Sequence, residues 1–265
     1  EFARCSYCGR ALDLRYTFCV HCASTHDVTV PANDLGEEES DEYWDIGEGS
    51  IETRLMRRAP VAVNYFLALL ATIIFVGVGT TQVAEDSPVH AIFLQHAAVA
   101  GLTLFFALSE RRLFADLFVV PRSAGILIAS VPLLAGFLVI NHFYHSQLTE
   151  LFGLEDETSL IDLVRREVSK STLVVVICVL PAVLEETGFR GLVQTRFVET
   201  VGKASGFAAT SVLFTALHFS VLSAPYLFLL SLYLCWVRDR TGSLYPVIVL
   251  HFLHNLAVLW MDDAL

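Results

Sequence analysis

Apolar and polar positions alternate along the chain on the scale of whole membrane spans. Apolar runs fall at roughly 60–82, 89–109, 124–144, 171–190, 206–222, 225–237 and 244–261, with polar turns between them. About 20 mostly apolar residues cross ~30 Å of hydrocarbon as a helix. The pattern therefore predicts an all-α polytopic membrane protein with about seven transmembrane helices, the sixth short. Residues 113–120 are apolar but too few to cross, and Arg112 and Arg122 flank them, which predicts an interfacial piece. Three regions result: a cysteine-rich head over 1–30, an acidic linker over 31–58 and a membrane domain over 59–265.

Composition agrees with that division. Of 265 residues, 55% are hydrophobic and 17% charged, which excludes a disordered chain and an ordinary soluble globule. The net charge of −11 is uneven: residues 1–52 hold 12 acids against 3 bases, whereas residues 53–265 are nearly balanced. No basic region exists to follow phosphates, so no nucleic-acid partner is expected. The first long apolar run starts only near Ala59, so no cleavable signal peptide is expected. Arg54, Arg57, Arg58, Arg111, Arg112, Arg122, Arg196, Lys203, Arg238 and Arg240 all fall on one side of such a bundle. Basic loops stay cytoplasmic, which predicts a multi-pass protein of the cell (inner) membrane with a cytoplasmic N-terminus. On the other side, Leu148, Leu151, Phe152, Leu160, Leu163 and Val164 suggest a helix lying on the outer surface.

Cys5-x-x-Cys8 and Cys19-x-x-Cys22 put four thiolates on two tight turns, the arrangement that tetrahedral Zn2+ takes. Disulfides are the competing use, and the cytoplasmic side disfavours them. A small zinc ribbon is expected, with the metal supplying most of its folding free energy. His21 and His26 are bystanders, because four thiolates close the site. Residues 34–52 carry nine acids and no base, the composition of a solvated tether.

Ionisable groups inside spans cost roughly 2.5–3.5 kcal/mol each to insert and so mark candidate sites. The fourth run ends L-P-A-V-L-E-E-T-G-F-R, the fifth carries F-T-A-L-H, and the seventh H-F-L-H-N. Glu186 and Arg190 are spaced for a helical ion pair. Glu185, about 100° round the helix, has no local partner, as suits a group that takes and returns protons. Pro181, one turn earlier, removes a backbone bond beside that carboxylate. His218 could share a water with Glu185. His251 and Asn255 share a helix face and could donate to an oxyanion. His254 either substitutes for His251 or faces a neighbouring helix. Depth estimates place Glu185 near the cytoplasmic end of its span and His218 about three turns into its own. His90, Gln95, His96, Asn141, His142 and His145 read as interfacial or interhelical hydrogen-bonders, Tyr65 and Tyr226 among belt aromatics, and Cys178 and Cys235 as packing residues.

In Glu185-Glu186-x-x-x-Arg190, Phe214-x-x-x-His218 and His251-x-x-x-Asn255, the chain resembles the CPBP family. That family comprises CAAX prenyl proteases of the Ras-converting type and bacteriocin-processing relatives, also called Abi. The resemblance spans roughly 89–262 and implies a CAAX-protease-like bundle with intramembrane endopeptidase activity. It implies that Glu185 activates water with His218, that His251 and Asn255 stabilise the oxyanion, and that Glu186 and Arg190 are structural support. Substrates would be lipidated or amphipathic peptides, a bacteriocin precursor or part of a membrane protein, met among membrane lipids. Glutamate and two histidines would make a zinc set, but Asn255, a poor zinc ligand, favours a reaction without catalytic metal. The competing reading is a non-catalytic membrane scaffold or bacteriocin-immunity factor on the same fold.

Overall fold

A computed structural model describes residues 51–81, 87–121, 124–152 and 165–261, and among them every regular element is a helix. The ribbon cysteines Cys5, Cys8, Cys19 and Cys22 and most of the acidic linker lie outside the described residues. The helices are α1 (Ile51–Gly79), α2 (Pro88–Ser109), the short α3 (Arg111–Ala115), α4 (Ala124–Phe152), α5 (Lys170–Val201), α6 (Lys203–Ala216), α7 (Ala224–Thr241) and α8 (Tyr245–Met261). Segments Ala59–Gly79, Pro88–Ser109, Ile128–Phe152 and Lys170–Val201 are long and apolar enough to cross a membrane, and α8 is a shorter apolar helix. Their outer faces expose large apolar side chains such as Phe75, Leu104, Val139 and Phe143. In water such a surface would be a liability, whereas against lipid it is neutral.

Cross-links at the two ends set the up-and-down order. At one end Glu110 pairs with Arg196, Lys203 with Asp239, and Ser243 donates to the Val119 carbonyl at 2.6 Å. The loops following α2, α5 and α7, which carry most of the basic residues, therefore gather together. At the other end Ser87 donates to Glu167 at 2.6 Å and Tyr144 to the Leu222 carbonyl at 2.8 Å. Residues 113–120 do not cross; Phe114 and Leu117 tuck into the core at the basic end.

Four expected boundaries move. α1 starts at Ile51, inside the segment read as linker. α4 continues to Phe152, so Leu148, Leu151 and Phe152 extend a span rather than begin a surface helix. α5 does not stop at Arg190 but runs 32 residues to Val201, which puts Glu185 at its midpoint rather than near one end. Its second half stays helical because its polar residues are buried against protein: Gln194 donates to the Cys235 carbonyl at 3.0 Å, and Thr195 to Gly191 at 2.8 Å. Finally, α6 ends at Ala216 after 14 residues, about 21 Å and short of a full crossing. Phe219 takes a left-handed φ of 50°, a conformation that stops a helix. His218 is thus on the turn after α6, not inside a span.

α5 departs from α geometry twice, with π turns at Val175–Val179 and Glu186–Val193. Such turns concentrate at functional sites. The second packs so closely on α1 that a Cβ at Gly188 would lie 2.0 Å from the Tyr65 hydroxyl oxygen. That hydroxyl is already fixed by Thr103 of α2 at 3.0 Å. We expect Gly188→Ala to destabilise the protein by about 1–3 kcal/mol in thermal or denaturant unfolding, the usual cost of overpacking. Tyr65→Phe in the same chain should recover part of the loss, because the worst clash is with the hydroxyl.

Candidate active site

Glu186 and Arg190 are both fully buried on the second π turn of α5, with Arg190 Nη1 2.8 Å from Glu186 Oε1. Arg190 Nη2 also donates to the Ser231 hydroxyl of α7 at 3.0 Å, and the guanidinium lies 4.4 Å from the centre of the Phe214 ring. A buried ion pair tolerates its surroundings only when further polar contacts complete it. α6 and α7 supply those contacts, so the pair ties three helices together.

His251 of α8 meets the same carboxylate, its Nδ1 2.7 Å from Glu186 Oε1. An ionised carboxylate only accepts, so Nδ1 carries the proton and Nε2 is the free ring position. Nε2 lies 4.0 Å from Glu185 Oε2. The two neighbouring glutamates therefore flank one imidazole. Glu186 orients it, and Glu185 faces its working nitrogen.

Glu185 points into a cavity of about 230 Å³ between α1, α2, α5 and the end of α6. Its side chain is about one-third exposed, yet Oε2 is buried and has no hydrogen-bond partner among the described residues. A buried acceptor left unpaired costs about 1–3 kcal/mol, so this carboxylate is held ready for something that enters. His218 lines the same cavity. Its Nδ1 lies 2.9 Å from the Phe214 carbonyl, which can only accept, leaving Nε2 as the lone-pair nitrogen of the neutral ring. The carbonyls of a helix's last turn lack intrahelical donors, so the contact also caps α6. Phe214 sits between these groups, its ring centre 4.7 Å from that of His218 and 6.3 Å from that of His251.

Asn255 is placed differently from the sequence reading. Its amide donates to the Ile177 carbonyl at 3.3 Å, and its oxygen lies 3.0 Å from His254 Nδ1. That carbonyl lies in the π turn just before Pro181, which has no N–H to offer the helix. His254 faces the neighbouring helix, 2.6 Å from the Tyr226 hydroxyl of α7 and stacked on that ring. The structure thus brings Glu185, His218 and His251 together, buries Glu186 with Arg190 beneath them, and leaves Asn255 bonded to the backbone of α5.

Gln95, His96 and Tyr65 also line the cavity, where sequence reasoning gave them interhelical or belt roles. The signal was present: Q-H interrupts the middle of an apolar helix, as E-E does in α5. Among the described residues no three His, Cys, Asp or Glu side chains converge closely enough to hold a metal ion.

Removing one member of a buried charged pair strands the other. Arg190→Met should cost about 3–5 kcal/mol in unfolding measurements, whereas Glu186→Leu with Arg190→Met should recover most of that loss.

A family model described as Type II CAAX prenyl endopeptidase Rce1-like matches residues 168–257. The match takes in Glu185, Glu186, Arg190, Phe214, His218, His251 and Asn255, and excludes α1, α2 and α4. No curated protein and no solved structure matches the chain.

Proposed function

We propose that this protein is an intramembrane endopeptidase that hydrolyses a peptide bond with water activated by Glu185 and His218. One observation carries the reading: Glu185, one of whose carboxylate oxygens is buried and unpartnered among the described residues, lines a cavity that it shares with a histidine whose Nε2 is free. The match of residues 168–257 to a type II CAAX prenyl endopeptidase family supports it.

In this reading a water sits between Glu185 and His218 Nε2. As its oxygen attacks the peptide carbonyl carbon, its proton passes to Glu185, and the carbonyl oxygen gains the negative charge. His251, oriented by Glu186 through Nδ1–H, can serve that oxyanion through Nε2 when that nitrogen also carries a proton. Asn255 joins it only when its amide leaves the Ile177 carbonyl. Collapse breaks the C–N bond, and Glu185 returns the proton to the departing amine. Substrates are peptides or membrane-protein segments, prenylated ones included, and the basic end of the bundle is cytoplasmic.

The test uses full-length protein in proteoliposomes against a mixed library of prenylated and unmodified peptides. Glu185→Gln preserves size and removes the base, and cleavage should fall by about 10²-fold or more. Equal rates for variant and wild type would sink the assignment, as would a wild type that cuts nothing.

The N-terminal ribbon holds one structural Zn2+ through Cys5, Cys8, Cys19 and Cys22, and the hydrolytic site works without metal. Metal analysis of the full chain should give one zinc per chain, lost when the four cysteines become serine. A second zinc that survives that change would overturn the metal-free mechanism.

A further inference from the structure

The Glu185 cavity has a second polar wall, outside the stretch that matches the endopeptidase family. Gln95 and His96 are consecutive on α2 and both line it. Gln95 Nε2 is buried with no hydrogen-bond partner among the described residues. His96 Nδ1 lies 2.8 Å from the Ile92 carbonyl, an acceptor only, so Nδ1 carries the proton and the neutral ring keeps its lone pair on Nε2. One helix thus brings an unpaired donor and an acceptor, on consecutive residues, to the wall of the cavity. The rest of that wall is apolar, including Leu69, Ile73 and Val99.

An extended peptide presents the matching pair. In a strand, the N–H and C=O of one residue point to the same side, which lets opposed residues of antiparallel strands exchange two hydrogen bonds. A peptide drawn into an apolar cavity loses water from both groups, and in such surroundings they must be paired by protein. We propose that Gln95 and His96 form a two-point clamp on the substrate main chain. Gln95 Nε2–H donates to the carbonyl of one extended residue, and His96 Nε2 accepts from the N–H of that same residue. These are positioning residues, and the inference rests on the endopeptidase reading. It adds that the substrate binds as an extended strand alongside α2, held by its backbone.

The test takes the best-cut peptide from the library above and the full-length protein in proteoliposomes. Gln95→Met and His96→Phe should each raise KM about tenfold, the worth of one hydrogen bond, and leave kcat within about threefold. Replacing successive backbone N–H groups by ester oxygen should locate one position that costs the wild type about tenfold and costs His96→Phe nothing further. Gln95→Met should melt at or above the wild-type temperature, because it removes a buried donor that has no partner. A structural role would lower the melting temperature and leave KM unmoved. Unchanged KM in both variants, an ester penalty that persists in His96→Phe, or a Gln95→Met protein that fails to fold would each overturn the clamp. Glu185-dependent cleavage indifferent to Gln95 and His96 rejects the clamp alone; cleavage indifferent to Glu185 rejects the underlying reading.

Discussion

A full positive and a full negative charge lie together at zero exposure inside a bundle whose outer face is apolar. Nothing in such an interior replaces water around Glu186 and Arg190 except other protein groups, so neighbouring helices must be positioned to provide them. α7 brings the Ser231 hydroxyl, α6 the Phe214 ring and α8 the His251 imidazole. Glu186 Oε2 and Arg190 Nε still lack partners among the described residues. The network is therefore taut, and it acts more as a register device than as a source of stability. Moving any of these helices by a turn would leave a charge exposed to hydrocarbon.

The same constraint shapes the path of α5. A straight α-helix passing Pro181 would leave the Ile177 carbonyl without a donor, in a setting where no water can take over. π turns on either side change the register of the backbone, and Asn255 reaches across from α8 to donate to the Ile177 carbonyl. Close packing of α1 on Gly188 is possible only because that residue has no side chain. The π turns, the Asn255 contact and the glycine contact all fall within about ten residues of Glu185. The helix is irregular where the chemistry is.

How far the sequence revealed this varies by residue, and the reasons are physical. Helical periodicity alone set Glu186 against Arg190, because an i,i+4 pair is a local feature, and the coordinates agree. The all-helical membrane bundle was equally legible, since apolar runs of span length have few other uses. Span ends were less so. The continuation of α5 to Val201 depends on Gln194 and Arg238 finding partners on other helices, which no local pattern records. α6 stops early at a left-handed Phe219, a position that usually announces itself by glycine and here does not. Asn255 shares a helix face with His251, as the spacing required, yet its amide points to the Ile177 carbonyl on a different helix. Gln95 and His96 were visible as interruptions of α2. Their direction, into a cavity rather than towards a neighbour, was a tertiary fact.

Two adjacent glutamates end up with opposite fates for one geometric reason. Neighbouring residues on a helix point about 100° apart. When one is turned to the centre of the bundle, the next must face a flank. Glu186 faces the centre and is consumed by Arg190 and His251. Glu185 faces the gap between α1 and α2, where Tyr65, Gln95, His96 and His218 offer polar side chains and none of them bonds to its Oε2. The structural charge thereby fixes the orientation of the reactive one, and His251 couples the two by touching both. Both cavity histidines reach the same state by the same local device: Nδ1 is tied to the carbonyl four residues back, and Nε2 is left over. For these two rings helix geometry supplies the orientation and backbone carbonyls supply the tautomers, whereas His251 takes its tautomer from Glu186 on another helix.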